Sequence, residues 1–250
     1  MILASITGSP VGSAAAIVIF WFVTDRFTLG ILPDPYRAVQ RWQRTNSLER
    51  TLLVNPHDRR ARSELAEHYV ARKKYQRAMD VLRPNIEAGD EDPAMLFTMG
   101  VACLGAGHAP QGEKLLGHVE ELDPRFRVGE VELARGTFRL DRKDYAGAKD
   151  ALEKLITARK GTVEGRVKLA AALEGLNDDG KAALLKDEAW AEYVASPGFQ
   201  RRKERKWAWR ARPSRPLTYL TAVLVGLFVF YKFVAPQLRA PAPTAYEGGD

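Results

Sequence analysis

The sequence predicts an all-α protein, a solenoid of about four helix-turn-helix repeats flanked by N- and C-terminal transmembrane helices. Three observations support this prediction. Small and apolar residues recur in a 34-residue register through the middle of the chain, two apolar segments lie near its ends, and a basic stretch precedes the second segment. The recurring residues indicate paired helices, and the apolar segments indicate membrane spans.

The net positive charge of the chain is concentrated in one stretch. The 250 residues include 38 Lys and Arg against 31 Asp and Glu, a formal charge of +7. Residues 201–215 contain eight basic side chains and one Glu, so the remaining residues balance to zero. This distribution does not favour a nucleic-acid partner, and none is expected. The single cysteine, Cys103, excludes an intramolecular disulfide.

Residues 1–24 are predicted to form an N-terminal transmembrane segment because they contain no charged side chain. The most apolar part runs from Ala14 to Val23. A cleaved signal peptide is the alternative, but the start of the chain lacks Lys and Arg. Residues 25–58 are predicted to be a juxtamembrane helical linker that ends in a half-repeat cap, "SLERTLLVNP".

Residues 59–197 are predicted to form the solenoid. The first unit starts at Arg59, the second at Pro93 and the fourth at Val163, while the third is shifted by two residues. The shift predicts a small insertion near Phe126. Each unit is interpreted as two antiparallel helices that approach closely where the eighth and twentieth positions are small. Such units bury their apolar faces only by stacking on one another.

These units resemble the tetratricopeptide repeat (TPR) family over about Arg59 to Glu192. No unit has the bulky Trp-like fourth position of the family. The resemblance implies helical hairpins stacked into a superhelix, with the first helix of each hairpin lining a concave groove that binds protein. Matching positions are Leu65-Ala66, Met99-Gly100 and Leu169-Ala170, with Gly136 in the shifted third unit.

The resemblance also implies which residues face that groove. Ser63 and Glu67 stand where chaperone-binding members have the Lys and Asn of a carboxylate clamp, so this clamp is absent. The apolar middle of the groove suggests a protein partner that offers an apolar or amphipathic helical segment. The alternative is that these residues pack internally. The implied groove residues are Arg60, Ser63, Glu67, Phe97, Val101, Leu133, Thr137, Val167 and Ala171.

Residues 198–216 are predicted to be a polybasic, aromatic juxtamembrane segment, followed by a transmembrane helix at 217–238 and a disordered tail at 239–250. Lys and Arg flank both spans on the solenoid side, which predicts a cytoplasmic solenoid. Anionic headgroups of membrane lipids are therefore expected partners. The predicted membrane-interface residues are Arg201, Arg202, Lys203, Arg205, Lys206, Trp207, Trp209, Arg210, Arg212 and Arg215.

No catalytic, cofactor-binding or metal-binding constellation is predicted. The Gly-rich stretch "GAGHAPQG" at residues 105–112 lacks the Lys-Ser/Thr of a phosphate loop, and the four histidines are scattered. The sequence thus predicts a non-catalytic, two-span membrane scaffold or adaptor that assembles membrane complexes.

A bacterial inner membrane is the expected location, with a mitochondrial outer membrane as the alternative. Two other functions stay open. One is a membrane-bound lipid or nucleic-acid sensor that uses the basic segment, and the other is a non-catalytic subunit of a membrane enzyme complex.

Overall fold

The structure is a computed structural model that describes residues 35–229. Within this range it is all-helical, with eleven helices and no strand, so the all-α prediction is confirmed for these residues. The helices are α1 Pro35–Val54, α2 Arg59–Ala71, α3 Tyr75–Glu87, α4 Pro93–Ala106, α5 Ala109–Leu122, α6 Glu130–Asp141, α7 Tyr145–Ala158, α8 Val163–Gly175, α9 Asp179–Ala195, α10 Gly198–Ala211 and α11 Ser214–Val229.

Helices α2 to α9 form four helical hairpins, each a first helix packed against the second helix that follows it. The turn inside each hairpin places one residue in the left-handed region, which ends a helix sharply. These residues are Lys73 at φ 57°, Gly107 at 97°, Lys143 at 62° and Asn177 at 62°. The four turn positions are separated by 34, 36 and 34 residues in turn. The third hairpin is therefore the one shifted by two residues.

The shift lies in the connector between α5 and α6. This connector comprises residues 123–129, whereas the other two connectors between hairpins comprise only residues 88–92 and 159–162. The shorter connectors end in residues whose side chains cap the next helix. For example, the Asp92 carboxylate accepts a hydrogen bond from the Met95 N–H at 3.2 Å. Helix α6 instead follows Gly129, which has φ 82° and gives no side-chain cap. The extra residues place side chains over the concave surface, as described below.

Small residues allow the two helices of each hairpin to approach closely. A Cβ on Gly136 would lie 2.6 Å from Leu152, and one on Gly100 would lie 3.0 Å from Leu116. Both leucines are fully buried. Ala66 and its equivalents in the other hairpins are likewise buried. The periodic small residues of the sequence therefore mark the lines along which paired helices touch.

Two further helices pack on the ends of the hairpin array. Helix α1 lies against α2, with Leu48 buried in the shared core and the Tyr69 hydroxyl donating to Glu49 at 2.7 Å. Helix α10 lies against α8 and α9. It begins at Gly198, close to Pro197, where the 34-residue period would start another unit. Helix α10 thus takes the place of the first helix of an incomplete fifth unit.

Helix α11 belongs to a separate unit of the chain, and residues 35–212 form the other described unit. No helix within residues 35–229 is both long and apolar enough to cross a membrane.

The prediction of a two-span protein of the bacterial inner membrane with a cytoplasmic solenoid is therefore wrong. Two of the predicted segments, 1–24 and 239–250, lie outside the described residues, and the predicted helix at 217–238 lies partly outside them.

Candidate functional site

The first helices of the second, third and fourth hairpins, α4, α6 and α8, line a groove that contains a cavity of about 340 Å³. We call it the central groove. Its α4 wall is apolar, with Phe97, Val101 and Leu104 at helical spacing. The opposite face of α4 is also apolar and packs into the core through residues such as Met95 and Cys103. Because α4 is apolar on both faces, one face remains available on the concave side.

Helix α6 provides the second wall. Glu130, Leu133, Thr137 and Asp141 follow one another at intervals of three or four residues, so they lie on a single helix face. Leu133 and Thr137 form the middle of this face and are half-buried. Glu130 and Asp141 stand at its two ends, about 16 Å apart along the helix axis. The wall is therefore apolar at its centre and acidic at both ends.

Helix α8 closes the groove with an ion pair whose cation is buried and whose carboxylate is half-buried. Lys168 is only 8% exposed, and its Nζ donates at 2.6 Å to both Glu164 Oε1 and Thr137 Oγ1. The same ammonium lies 4.9 Å from the ring centroid of Trp207. Sequence reasoning missed Lys168. Its signal was a cation four residues after Glu164, directly before the small and apolar run "LAAAL".

The long connector supplies two more side chains that sequence reasoning missed, Phe126 and Arg127. The Phe126 ring lies 5.7 Å from that of Phe97. The Arg127 guanidinium lies 5.7 Å and 5.2 Å from the centroids of Phe97 and Phe126, and donates to Glu67 at 3.1 Å. Arg127 has φ 38°, an unusual conformation for a residue with a side chain. The predicted insertion near Phe126 was the signal for this arrangement.

The structure brings four of the predicted groove residues together: Phe97, Val101, Leu133 and Thr137 all line the central groove. The others lie outside its lining. Arg60 and Ser63 are on α2, and Glu67 of the same helix reaches the groove edge through Arg127. On α8, Val167 is buried in the core shared with α10, and Ala171 is half-buried.

Most of the predicted membrane-interface residues lie in α10, which packs on the solenoid. Ala208 and Ala211 are buried with Val163 and Val167 of α8, and Trp207 packs at their edge. Sequence reasoning did not anticipate this packing. The residues within α10 are Arg201, Arg202, Lys203, Arg205, Lys206, Trp207, Trp209 and Arg210, while Arg212 and Arg215 follow it.

Two contacts hold the end of α10 and its aromatic residues in place. Arg212 donates to Asp187 of α9 at 2.7 Å, and the guanidinium of Arg210 lies 4.6 Å from the Trp207 ring centroid. Trp209 also has a cation close to its ring, since the Arg205 guanidinium lies 5.9 Å from the ring centroid. The basic and aromatic residues thus interact with one another and with the last hairpin.

One carboxyl group is partly buried between α8 and α10. Burial raises the pKa of Glu204, against the opposing effects of hydrogen bonds from Gln200 and the Val163 backbone and of the nearby Arg159. Its Oε2 is shielded from solvent and has no hydrogen-bond partner among the described residues. The contact between α8 and α10 therefore contains an acidic group that is more easily protonated than an exposed glutamate.

The described side chains offer little for metal or covalent chemistry. Within residues 35–229, no group of three or more His, Cys, Asp or Glu could hold a metal ion. Cys103 is fully buried, and burial raises the pKa of its thiol, which disfavours the reactive thiolate. The central groove combines aromatic, aliphatic and acidic side chains, an arrangement suited to contact with another chain.

Comparison with known proteins identifies the fold. A crystal structure of TTC0263, a thermophilic TPR protein of Thermus thermophilus, matches with a TM-score of 0.53 and 19% sequence identity, covering 70% of this chain and 92% of that one. At this identity the likeness establishes the fold alone. The described chain has a TPR fold, as its sequence resemblance predicted.

Looser matches include two crystal structures of MamA. Each has a TM-score of 0.49 and 15% identity, and they cover 60% and 59% of this chain and 81% and 85% of those chains. No protein-family profile matches the sequence. No curated protein matches it either.

Proposed function

We propose that this chain is a non-catalytic scaffold for protein–protein interaction, which holds an apolar or amphipathic helical segment of a partner in the central groove. The TPR fold supports the general role. The observation that carries the proposal is the cavity of about 340 Å³ bordered by the half-buried side chains of Phe97, Val101 and Leu133. These apolar groups are gathered on the concave surface, where a second chain can cover them.

The energetics favour such a partner. Covering apolar surface stabilises a complex by about 25 cal/mol per Å², before the entropic costs of association. The groove residues project from helices whose other faces are packed in the core, as Gly136 beside Leu152 shows for α6. Little ordering of the protein would be required on binding, so more of the burial energy would appear as affinity.

The polar groups of the groove favour binding over catalysis. Lys168 and Glu164 are hydrogen-bonded to each other, and Thr137 is bonded to Lys168. The Thr137 hydroxyl also donates to the Leu133 carbonyl at 2.6 Å. Its proton is thus directed to the backbone and not to a general base, as nucleophilic catalysis would require. We propose that these groups fix the geometry of the α6 and α8 walls.

Site-specific photocrosslinking tests the proposal. A photoreactive benzoyl-phenylalanine at Val101, in the groove, should crosslink the full chain to a discrete protein partner in cells. The same residue at Asp150, on the exposed side of α7, is the control position. A partner that crosslinks equally from both positions, or from neither, would contradict binding in the groove.

A matched pair of substitutions tests the same surface without moving the crosslinker. Leu133→Glu places a charge in the apolar centre and should abolish crosslinking from Val101. Leu184→Glu makes the same change at a leucine that is 65% exposed on α9 and should leave crosslinking intact. Circular dichroism of both variants checks that the fold is kept.

A further inference from the structure

We infer that the segment bound in the central groove carries an Arg or Lys beside its apolar residues. This inference rests on the proposed function and specifies the chemistry of the partner. It is carried by charge complementarity, since the groove combines an apolar centre with acidic ends in a chain whose formal charge is +7.

The charges that line the groove leave it negative. Three carboxylates, Glu130, Asp141 and Glu164, stand against one ammonium, Lys168. Lys168 is bonded to Glu164 at 2.6 Å, so this pair is neutral. Glu130 lies 3.8 Å from Arg127, a weak contact at the groove edge. Asp141 is exposed and forms no ion pair with any described residue.

The chain already shows how a basic group fits this surface. Arg127 extends from the connector over Phe97, with its guanidinium near two aromatic rings and hydrogen-bonded to Glu67 at 3.1 Å. A cation over an aromatic face with a carboxylate beside it is a favourable arrangement for Arg and Lys. The connector thus supplies the basic group at one end of the groove from within the chain.

The other end of the α6 wall offers similar chemistry for a partner. Asp141 lies there, and Tyr75 lines the groove beside Gly105, whose missing side chain makes room for the tyrosine ring. Arg142 lies close by, but its guanidinium covers the Phe138 ring at 4.6 Å and donates to the Gly107 carbonyl at 3.4 Å. The carboxylate of Asp141 is therefore left to a cation of the bound segment.

A peptide selection tests the inference. A phage-displayed library of random 15-residue peptides is selected against the full chain, and each enriched peptide is then assayed with the Leu133→Glu variant. Groove peptides are those that bind the wild type and lose binding with this variant. We expect groove peptides to contain apolar residues together with more Lys and Arg than Asp and Glu.

Charge substitutions provide the second arm. Asp141→Asn should lower the affinity for a groove peptide about threefold, in the range of a partly exposed ion pair. Glu130→Gln combined with Asp141→Asn should lower this affinity about tenfold. Asp150→Asn removes the same charge from the exposed side of α7 and should change affinity by less than about 1.5-fold. When the basic residues of the peptide are replaced with Gln, the wild type and Asp141→Asn should bind it equally.

The outcomes separate the two levels of the proposal. Groove peptides with no basic excess, or with affinity unchanged by Asp141→Asn, would overturn the inference and leave the proposed function intact. A selection that yields no peptide sensitive to Leu133→Glu would count against the proposed function itself, and the inference would fall with it.

Discussion

The junctions between successive hairpins differ in chemistry although the hairpins share one register. At the α7–α8 junction, Leu155 lies against Gly165, and both residues are buried. At the α5–α6 junction, Arg135 of α6 donates to Glu113 of α5 at 2.7 Å and to Glu120 of α5 at 2.9 Å. The first apolar cluster also reaches α6, through Val131, and the second cluster includes residues of α6 to α9, so the two clusters meet at α6.

This difference teaches that a repeat register specifies hairpins more tightly than it specifies how they are joined. An apolar junction stabilises the fold by burying apolar surface, and added salt does not weaken it. The stability that an ionic junction contributes depends on its geometry and on complete pairing of its charges. Desolvation opposes ionisation of Arg135, but Glu113 and Glu120 outweigh it and raise the pKa of the guanidinium. The ionic junction also adjoins the long connector that supplies Arg127.

Breaking an apolar junction should have the largest effect. Leu155 is fully buried between α7 and α8, and Leu155→Ala should lower the free energy of unfolding by about 3 kcal/mol through lost burial and a cavity. Urea denaturation monitored by circular dichroism measures this change. The matched control is Leu184→Ala, at a side chain 65% exposed, which should cost less than about 0.5 kcal/mol. Equal effects at the two leucines would show that the α7–α8 junction is not apolar and tightly packed.

Breaking the ionic junction should have an intermediate effect. Arg135→Met leaves Glu113 and Glu120 without their shared cation, and we expect a loss of about 1.5 kcal/mol, since the Arg135 side chain is 20% exposed. Urea denaturation again gives the change. Adding Glu120→Gln should recover part of the loss by removing one of two like charges. If the double variant is less stable by the sum of the single effects, Arg135 and Glu120 do not interact.

The sequence could predict the hairpins because their determinants are local. Small residues such as Gly136 recur at fixed offsets, and the turn residues follow the same period. Phe97, Val101, Leu133 and Thr137 could be placed in one groove because the resemblance to the TPR family implies which positions of the first helices face it. The role of Arg127 could not be predicted, because its partner Glu67 is 60 residues away in the chain.

The packing of the basic stretch could not be predicted from the sequence for a different reason. Basic residues with two tryptophans are typical of a membrane interface, and the same composition also suits a helix that packs by a narrow strip of small residues. In α10 that strip is Ala208 and Ala211, with Glu204 partly buried beside them. Two alanines give too weak a hydrophobic pattern to reveal this packing from sequence.

The smallest effect should come from Glu204, since its Oε2 has no hydrogen-bond partner among the described residues, whereas Arg135 between α5 and α6 is bonded to two carboxylates. Because the folded-state pKa is raised above its ordinary value of 4.5, the native state binds the proton more tightly than the unfolded chain. The stability that comes from the protonated group is fully present below pH 4.5 and is lost as pH rises through the raised pKa. Glu204→Gln keeps an acceptor for the Val163 N–H and removes the charge. We expect this substitution to raise the free energy of unfolding by about 0.5 kcal/mol at pH 7, a value reduced for partial exposure. At pH 4 it should leave the free energy of unfolding unchanged.

Urea denaturation at pH 4, 5.5 and 7 tests this prediction by giving the free energy of unfolding at each pH. The matched control is Glu91→Gln, in the exposed connector before α4. The difference between Glu204→Gln and the wild type should grow with pH, while that for Glu91→Gln stays near zero. A difference that is constant with pH would mean that the variant acts through packing and not through the carboxyl charge. A loss of stability at pH 7 would mean that the ionised carboxylate is itself favourable at the α8 N-terminus. The contact of α10 would then resemble the ionic α5–α6 junction more than the apolar one.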